Sequence, residues 1–405
     1  MSGGFPPRRV TLVLCTRDGL VLGALAPFDV PVPWWQEVGD VVQVAREVHG
    51  VDVTALRLLG PAIGPPAGGD VTYLAEVSSS TAGLSLSDWP NDVTNDRRNR
   101  LPYARPGGPA ADLAWADEAL AGQGTPRTGA ARQVRTWNLS SIWRLPVDRS
   151  TAWLKVVPPF FAHEGRMLQL LYPGPVPRLV ATEGPRMLLH HLDGDDLYGA
   201  PVEMLLPAVD ALVRLQMSWA GRTGELLDLG LPDWRGLSLA DLAADALRRT
   251  DGIAADTREQ VTGILDGLPD RFARIADCGV PDTLVHGDFH SGNVRGTRHR
   301  LTILDWGDCG VGNPLLDVAA FTENRPPEDQ TLARRAFASA WREVVPGCDA
   351  ERAMVLLAPV AALRQAVTYR GFLDRIEPDE HVYHRDDPAT WLRRAAELAT
   401  QPSSR

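Results

Sequence analysis

Three oxygen-bearing side chains recur at fixed spacing late in this chain. They are Asp288 and Asn293 in Val285-His286-Gly287-Asp288-Phe289-His290-Ser291-Gly292-Asn293, and Asp305 in Leu304-Asp305-Trp306-Gly307. A carboxylate can orient an attacking hydroxyl. A second carboxylate and an amide oxygen can hold Mg²⁺, which takes hard oxygen ligands and keeps several waters. Phosphoryl transfer from ATP asks for these parts, because it depends on positioning and charge neutralisation more than on covalent participation by the protein. The pattern marks Asp288 as the catalytic carboxylate and Asn293 and Asp305 as metal ligands. A competing reading takes His286, Asp288 and His290 as a Zn²⁺ cluster of a metallohydrolase, since alternate residues on a strand share a face. That reading leaves Asn293 and Asp305 without a task, and no other His or Cys pair has ligand spacing. His286 reads better as a pin for the loop and His290 as loop scaffolding.

The block continues through Asp305-Trp306-Gly307-Asp308-Cys309-Gly310-Val311-Gly312-Asn313-Pro314-Leu315-Leu316-Asp317-Val318-Ala319. The two pieces together, over residues 285–319, resemble the kinase-like aminoglycoside phosphotransferase and choline kinase family. The resemblance implies an α+β, bilobal protein-kinase-like fold, with a small antiparallel β lobe and a large helical lobe that carries a catalytic hairpin. It implies transfer of the γ-phosphate of ATP, with Mg²⁺, to a hydroxyl of a small molecule: an aminoglycoside, aminosugar, sugar or amino alcohol. ATP would lie between the lobes, and the acceptor among the helices of the large one.

The same resemblance implies a strand Lys on the nucleotide phosphates and a helix Glu that holds it. Lys155 in Trp153-Leu154-Lys155-Val156-Val157 and Glu164 after Pro158-Pro159 match those positions. The usual Gly-rich phosphate turn is replaced by Asn138-Leu139-Ser140-Ser141, so the hydroxyls of Ser140 and Ser141 and nearby N–H groups would have to serve. His191 stands at the expected hinge before Asp193-Gly194, where the edge of adenine would meet backbone. Asp308 is an additional candidate for a metal or water contact. Asp317 reads as structural, capping a helix and bracing the loop, and Cys309 as a packing thiol. A nucleotide-binding module without turnover is the alternative function. A protein kinase is disfavoured by Trp306, by Gly287 and by the lack of an Ala-Pro-Glu segment.

These residues need elements to hold them. Residues 8–16 and 20–25 read as a hairpin about Asp18-Gly19, 36–49 as a helix stopped by Gly50, and 53–59 and 71–77 as strands. This small α/β unit, residues 1–88, resembles a degenerate Nudix fold: Gly39 and Arg46-Glu47-Val48 match part of that pattern, but His49-Gly50 stands where metal-binding Glu residues belong. An unrelated cap domain fits equally. Residues 89–130 have linker composition with a docking helix at 110–120. The small lobe would span 131–193, with strands at 134–137, 142–147, 152–157 and 186–192. The helical lobe would span 194–405, with helices at 202–219, 239–247, 258–275, 330–345, 350–376 and 389–399.

Composition sets outer bounds. The 405 residues are 44% apolar and 23% charged, with a formal net charge of −10, which fits a globular protein of two or three domains. The acidic balance argues against nucleic-acid or anionic-membrane partners. Four cysteines, none in a Cys-x-x-Cys pair, offer no zinc ribbon or disulfide framework, and with no signal-like segment the expected location is the cytoplasm. The acidic segment 372–387 reads equally as an attractor for a cationic acceptor or as a solvated acidic loop, with Trp219, Trp234, Tyr369 and Tyr383 as residues that would stack on a sugar or simply pack.

Overall fold

The computed structural model describes residues 4–60, 66–78, 82–90, 93–94, 97–297 and 300–400. The chain divides into two units, residues 1–165, 179–191 and 373–385 in one and residues 166–178, 192–372 and 386–405 in the other.

The first unit holds two sheets. Alternating burial builds β1 (Arg8–Cys15), which pairs antiparallel with β2 (Val21–Ala24) and β3 (Phe28–Val30). After α1 (Gly39–His49) come β4 (Val53–Leu58) and β5 (Gly69–Val77), and β5 lies parallel to β1 to give the order β2-β1-β5-β4. Gly50, at φ 67°, closes α1 in the left-handed region that a side chain disfavours. Val41 and Ala45 of α1 bury against Val10, Leu12 and Tyr73. The short strand β3 carries no sequence signal beyond three residues and escapes prediction.

The second sheet of this unit comprises β6 (Arg132–Trp137), β7 (Ser140–Val147), β8 (Ser150–Val156), β9 (Leu179–Glu183) and β10 (Arg186–His190), in the order β6-β7-β8-β10-β9. The expected docking helix is α2 (Gly108–Gly122), whose Ala116 and Leu120 pack on Trp143, Leu154 and Leu188. The helix α3 (His163–Leu171) follows β8. The edge strand β6 is tied to the first sheet. The Gln133 amide exchanges two hydrogen bonds with the main chain of Ala55, at 2.9 and 2.8 Å, and Thr136 N–H donates to Gln36 O at 3.1 Å.

Residues 373–385 also belong to this unit, which corrects the expectation for the acidic segment. It is not a solvated loop. Glu377 is buried and ion-pairs with the buried guanidinium groups of Arg57 and Arg100, at 3.3 and 2.9 Å. Glu380 is buried and accepts the Leu58 N–H at 3.1 Å. Tyr383 packs edge-on against Trp35 and Trp137. Glu377 answers internal arginines and Glu380 is buried against main chain, so residues 373–385 give the cationic-acceptor reading no support.

The second unit is mainly helical: α4 (Val202–Met217), α5 (Thr223–Asp228), α6 (Gly236–Arg249), α7 (Ala255–Asp266), α8 (Leu268–Ala276), α9 (Asp317–Thr322), α10 (Pro327–Val344), α11 (Ala350–Leu373) and α12 (Asp387–Thr400). One helix was expected over 258–275. Gly267 and Pro269 divide it, because proline suits the first turn of a helix and not its interior. Five short strands, in two small sheets among the described residues, interrupt the helices. β11 (Asp195–Asp196) pairs with β13 (Val294–Thr297), which forms a hairpin with β14 (Arg300–Ile303). β12 (Thr283–Val285) pairs with β15 (Gly310–Gly312). No helix among the described residues is long and apolar enough to cross a membrane.

Candidate active site

The Asp288 loop leaves β12 and enters β13. Its path is fixed from below by Asp317, whose carboxylate accepts the N–H groups of His286 (2.9 Å) and Gly287 (2.7 Å) and the Gln216 amide (2.7 Å). Burial pushes the Asp317 carboxyl up, while the neighbouring His286 and the two backbone N–H groups pull it down. Three donors aimed at two oxygens suit the ionised form. The bracing role expected of Asp317 is observed. The capping role is not, because α9 has no side-chain cap.

His286 is fully buried and pins the loop with both ring nitrogens. Nδ1 accepts the Asp288 N–H at 3.2 Å and Nε2 donates to Leu304 O at 2.9 Å. Burial lowers its proton affinity, so the ring is neutral with hydrogen on Nε2. With both nitrogens engaged, it has none to give to zinc. His290 accepts the Gly292 N–H at 3.0 Å and lies 3.4 Å from Asp288 Oδ2. Burial works against its protonation, but the Asp288 carboxylate outweighs that and the ring's pKa rises.

Asn293 donates its amide to Asp288 twice, to the main-chain oxygen at 2.8 Å and to the carboxylate at 3.1 Å. The β13–β14 hairpin then returns the chain. Val294 pairs with Ile303, and the Leu304 N–H donates to Asn293 O at 2.8 Å. Asp305 follows immediately, in the left-handed region at φ 61°. The two expected metal ligands therefore stand at the two feet of one hairpin. The Asn293 amide nitrogen faces Asp288, which leaves its carbonyl oxygen as the atom for a cation. Asn293 and Asp305 thus offer the hard oxygen donors that Mg²⁺ prefers.

Two contributors were missed from sequence. Arg364 of α11 donates to Gly287 O at 2.7 Å and to Asp308 O at 3.0 Å, tying the two turns together. Its signal was a lone arginine in the apolar run Val360-Ala361-Ala362-Leu363. Gln216 is likewise the polar interruption of the apolar face of α4. Gly287, at φ 90°, permits the close approach: a Cβ there would lie 2.2 Å from Asp308 O. Cys309 is fully buried, as a packing thiol would be.

In the first unit, Lys155 of β8 meets Glu164 of α3 at 2.8 Å, with both side chains largely buried. The other expected nucleotide contacts change character. Ser140 and Ser141 are not loop residues; they begin β7. Their hydroxyls are buried and accept the indole N–H groups of Trp137 and Trp143, each at 3.1 Å. The turn itself is covered. Asn138 is buried and donates to Glu380 O at 3.2 Å, and His384 contacts its Oδ1 at 3.2 Å. The turn lacks glycine because it is a packed corner and has no need of bare backbone. His191 is exposed and accepts the Trp153 indole N–H at 3.2 Å, with the rings stacked. Trp219 and Trp234 are buried, under Arg222 and Arg364.

The sequence profile of the phosphotransferase enzyme family matches residues 131–354, more than half of the chain. The chain belongs to that family and is a phosphotransferase. Among solved structures, choline kinase LicA from Streptococcus pneumoniae is similar over 71% of this chain and 99% of its own, with 12% identity and a TM-score of 0.50. Macrolide 2'-phosphotransferase MphH from Brachybacterium faecium is similar over 73% and 100%, with 19% identity and a TM-score of 0.45. A choline/ethanolamine kinase family protein from Mesorhizobium loti is similar over 72% and 96%, with 15% identity and a TM-score of 0.48. No curated protein matches the chain in sequence.

Proposed function

We propose that Asp288 orients the acceptor hydroxyl for attack on the γ-phosphorus of ATP, with Asn293 and Asp305 as the ligands of Mg²⁺. The contact of Asn293 with Asp288, and the hairpin that returns Asp305 to Asn293, carry this reading. A bound Mg²⁺ would neutralise charge on the phosphate oxygens. A bond forms between the acceptor oxygen and the γ-phosphorus, the bridging β–γ bond breaks, and ADP leaves. Asp288 takes the hydroxyl proton late, because the transition state is loose and most of the rate gain comes from alignment. Lys155, positioned by Glu164, has the charge and the fixed rotamer to bind nucleotide phosphate.

The test is phosphate transfer from ATP across a panel of hydroxyl acceptors. Asp288→Asn should lower kcat by at least about 10²-fold while leaving the unfolding midpoint near that of the parent. A variant that transfers phosphate at the parent rate defeats the assignment. The packed 137–141 corner favours one second reading, a nucleotide-binding module without turnover. An ATP turnover rate that does not depend on Asp288 would support it.

A further inference from the structure

A cavity of about 440 Å³ opens in the helical unit between α9, α10, α11 and α12. One wall is apolar, formed by Leu315, Val318, Met354, Leu357 and Leu398. The lining also carries Glu323, Asp387, Arg394, Tyr369 and Trp391. The cavity is linked to the catalytic loop. Phe289, the residue after Asp288, stacks on Phe321 with ring centroids 5.1 Å apart, and Phe321 lies two residues before Glu323. Glu323 and Tyr369 are each shifted up, by burial first, with the charge of Asp288 among the further causes. Carboxylates that raise one another's proton affinity are relieved by a cation placed among them. Aromatic faces beside them add to that attraction.

The apolar wall sets a second requirement. A polyhydroxylated polycation would leave it wet and its own hydroxyls unpaired against it. A small quaternary ammonium alcohol would leave most of the volume empty. Arg334 of α10 also lines the cavity, half-buried, with no hydrogen bond or ion pair to a described residue. Its guanidinium offers donors to a carbonyl or ether oxygen.

We infer that the acceptor is a lipophilic amino alcohol of drug-like size. Its apolar body lies on the wall formed by Leu315, Val318, Met354, Leu357 and Leu398. Its single ammonium sits by Glu323 and Asp387, and its hydroxyl is presented to Asp288. This deepens the proposed function and rests on it.

Calorimetric titration of the full chain, with a non-hydrolysable ATP analogue and Mg²⁺ present, tests the inference. The probes are propranolol and sphingosine as lipophilic amino alcohols, kanamycin as a polycation, and choline as a small cation. At least one lipophilic probe should bind about ten-fold or more tightly than kanamycin and choline, a difference of about 1.4 kcal/mol. Glu323→Gln, which removes charge from the lining, and Ala358→Phe, which fills a half-buried lining position, should each weaken that probe about ten-fold. Tighter binding of kanamycin or choline, or unchanged affinity in both variants, overturns the inference and leaves the phosphotransfer reading standing. Failure of that reading is separately visible, as ATP turnover that Asp288→Asn does not change.

Discussion

Asp317 reaches back across 31 positions to accept the main-chain N–H groups of His286 and Gly287, directly before Asp288. The carboxylate replaces a missing stretch of sheet: the strand has ended, but its donors are still paired. Asp317→Ala leaves those N–H groups and the Gln216 amide buried without acceptors. A loss of about 2–4 kcal/mol in denaturant unfolding is expected, at the high end for a single substitution. Phosphate transfer should fall with it.

Gly287 gives a sharper test of the loop, because it touches no substrate. At φ 90°, with Asp308 O and Arg364 Nη2 both within 2.3 Å of a Cβ placed there, alanine forces the turn open. Gly287→Ala should lower kcat by more than about ten-fold and cost about 1–3 kcal/mol. Circular dichroism and steady-state rates separate the two effects. Full activity in the alanine variant would show that the turn has slack.

The buried Lys155–Glu164 pair predicts an asymmetric pair of variants. Lys155→Met removes the charge and should depress kcat/KM for ATP by about 10²-fold or more. Glu164→Gln keeps the shape and a hydrogen-bond acceptor. It should act mainly on KM for ATP, by about ten-fold, through a less firmly held lysine. Equal losses in kcat with unchanged KM would contradict a positioning role for Glu164.

Glu380 makes stability depend on pH. Burial, more than any neighbour, pushes its carboxyl from 4.5 up to about 8, with Glu377 adding to the rise and the Leu58 N–H and Arg57 opposing it. The folded state therefore holds this proton more tightly than the unfolded chain. The contribution is complete below about 4.5, declines as pH rises, and is gone above about 8. Melting temperature should drop across that window in the parent and drop less in Glu380→Gln. Parallel curves for the two proteins would show that another group titrates.

Most strands and helices, the hairpin and the contact of Asn293 with Asp288 rest on local spacing and were legible in the sequence. The His-Gly-Asp loop and its return through Asp305 are set by neighbours close in the chain. Arg364, Gln216 and the buried Glu377 act over long separations, and periodicity carries no trace of where such partners meet. Ser140 and Ser141 show the same limit. A polar pair between strands reads as an exposed turn, and only the indoles of Trp137 and Trp143, with Glu380 and His384 over the neighbouring Asn138, turn it into interior. The break at Pro269 was visible in principle. Its apolar period runs on through the proline, which masks the boundary.

The ion pairs of Arg57 and Arg100 with Glu377 carry a consequence for biosynthesis. During synthesis, both arginines leave the ribosome at least 277 residues ahead of the acid that neutralises them. Until that late stretch emerges, the amino-terminal half carries two cations bound for an apolar interior with no counter-charge. Its maturation must wait for that stretch, and truncation between residues 354 and 377 should yield insoluble protein even though the matched family region is already complete.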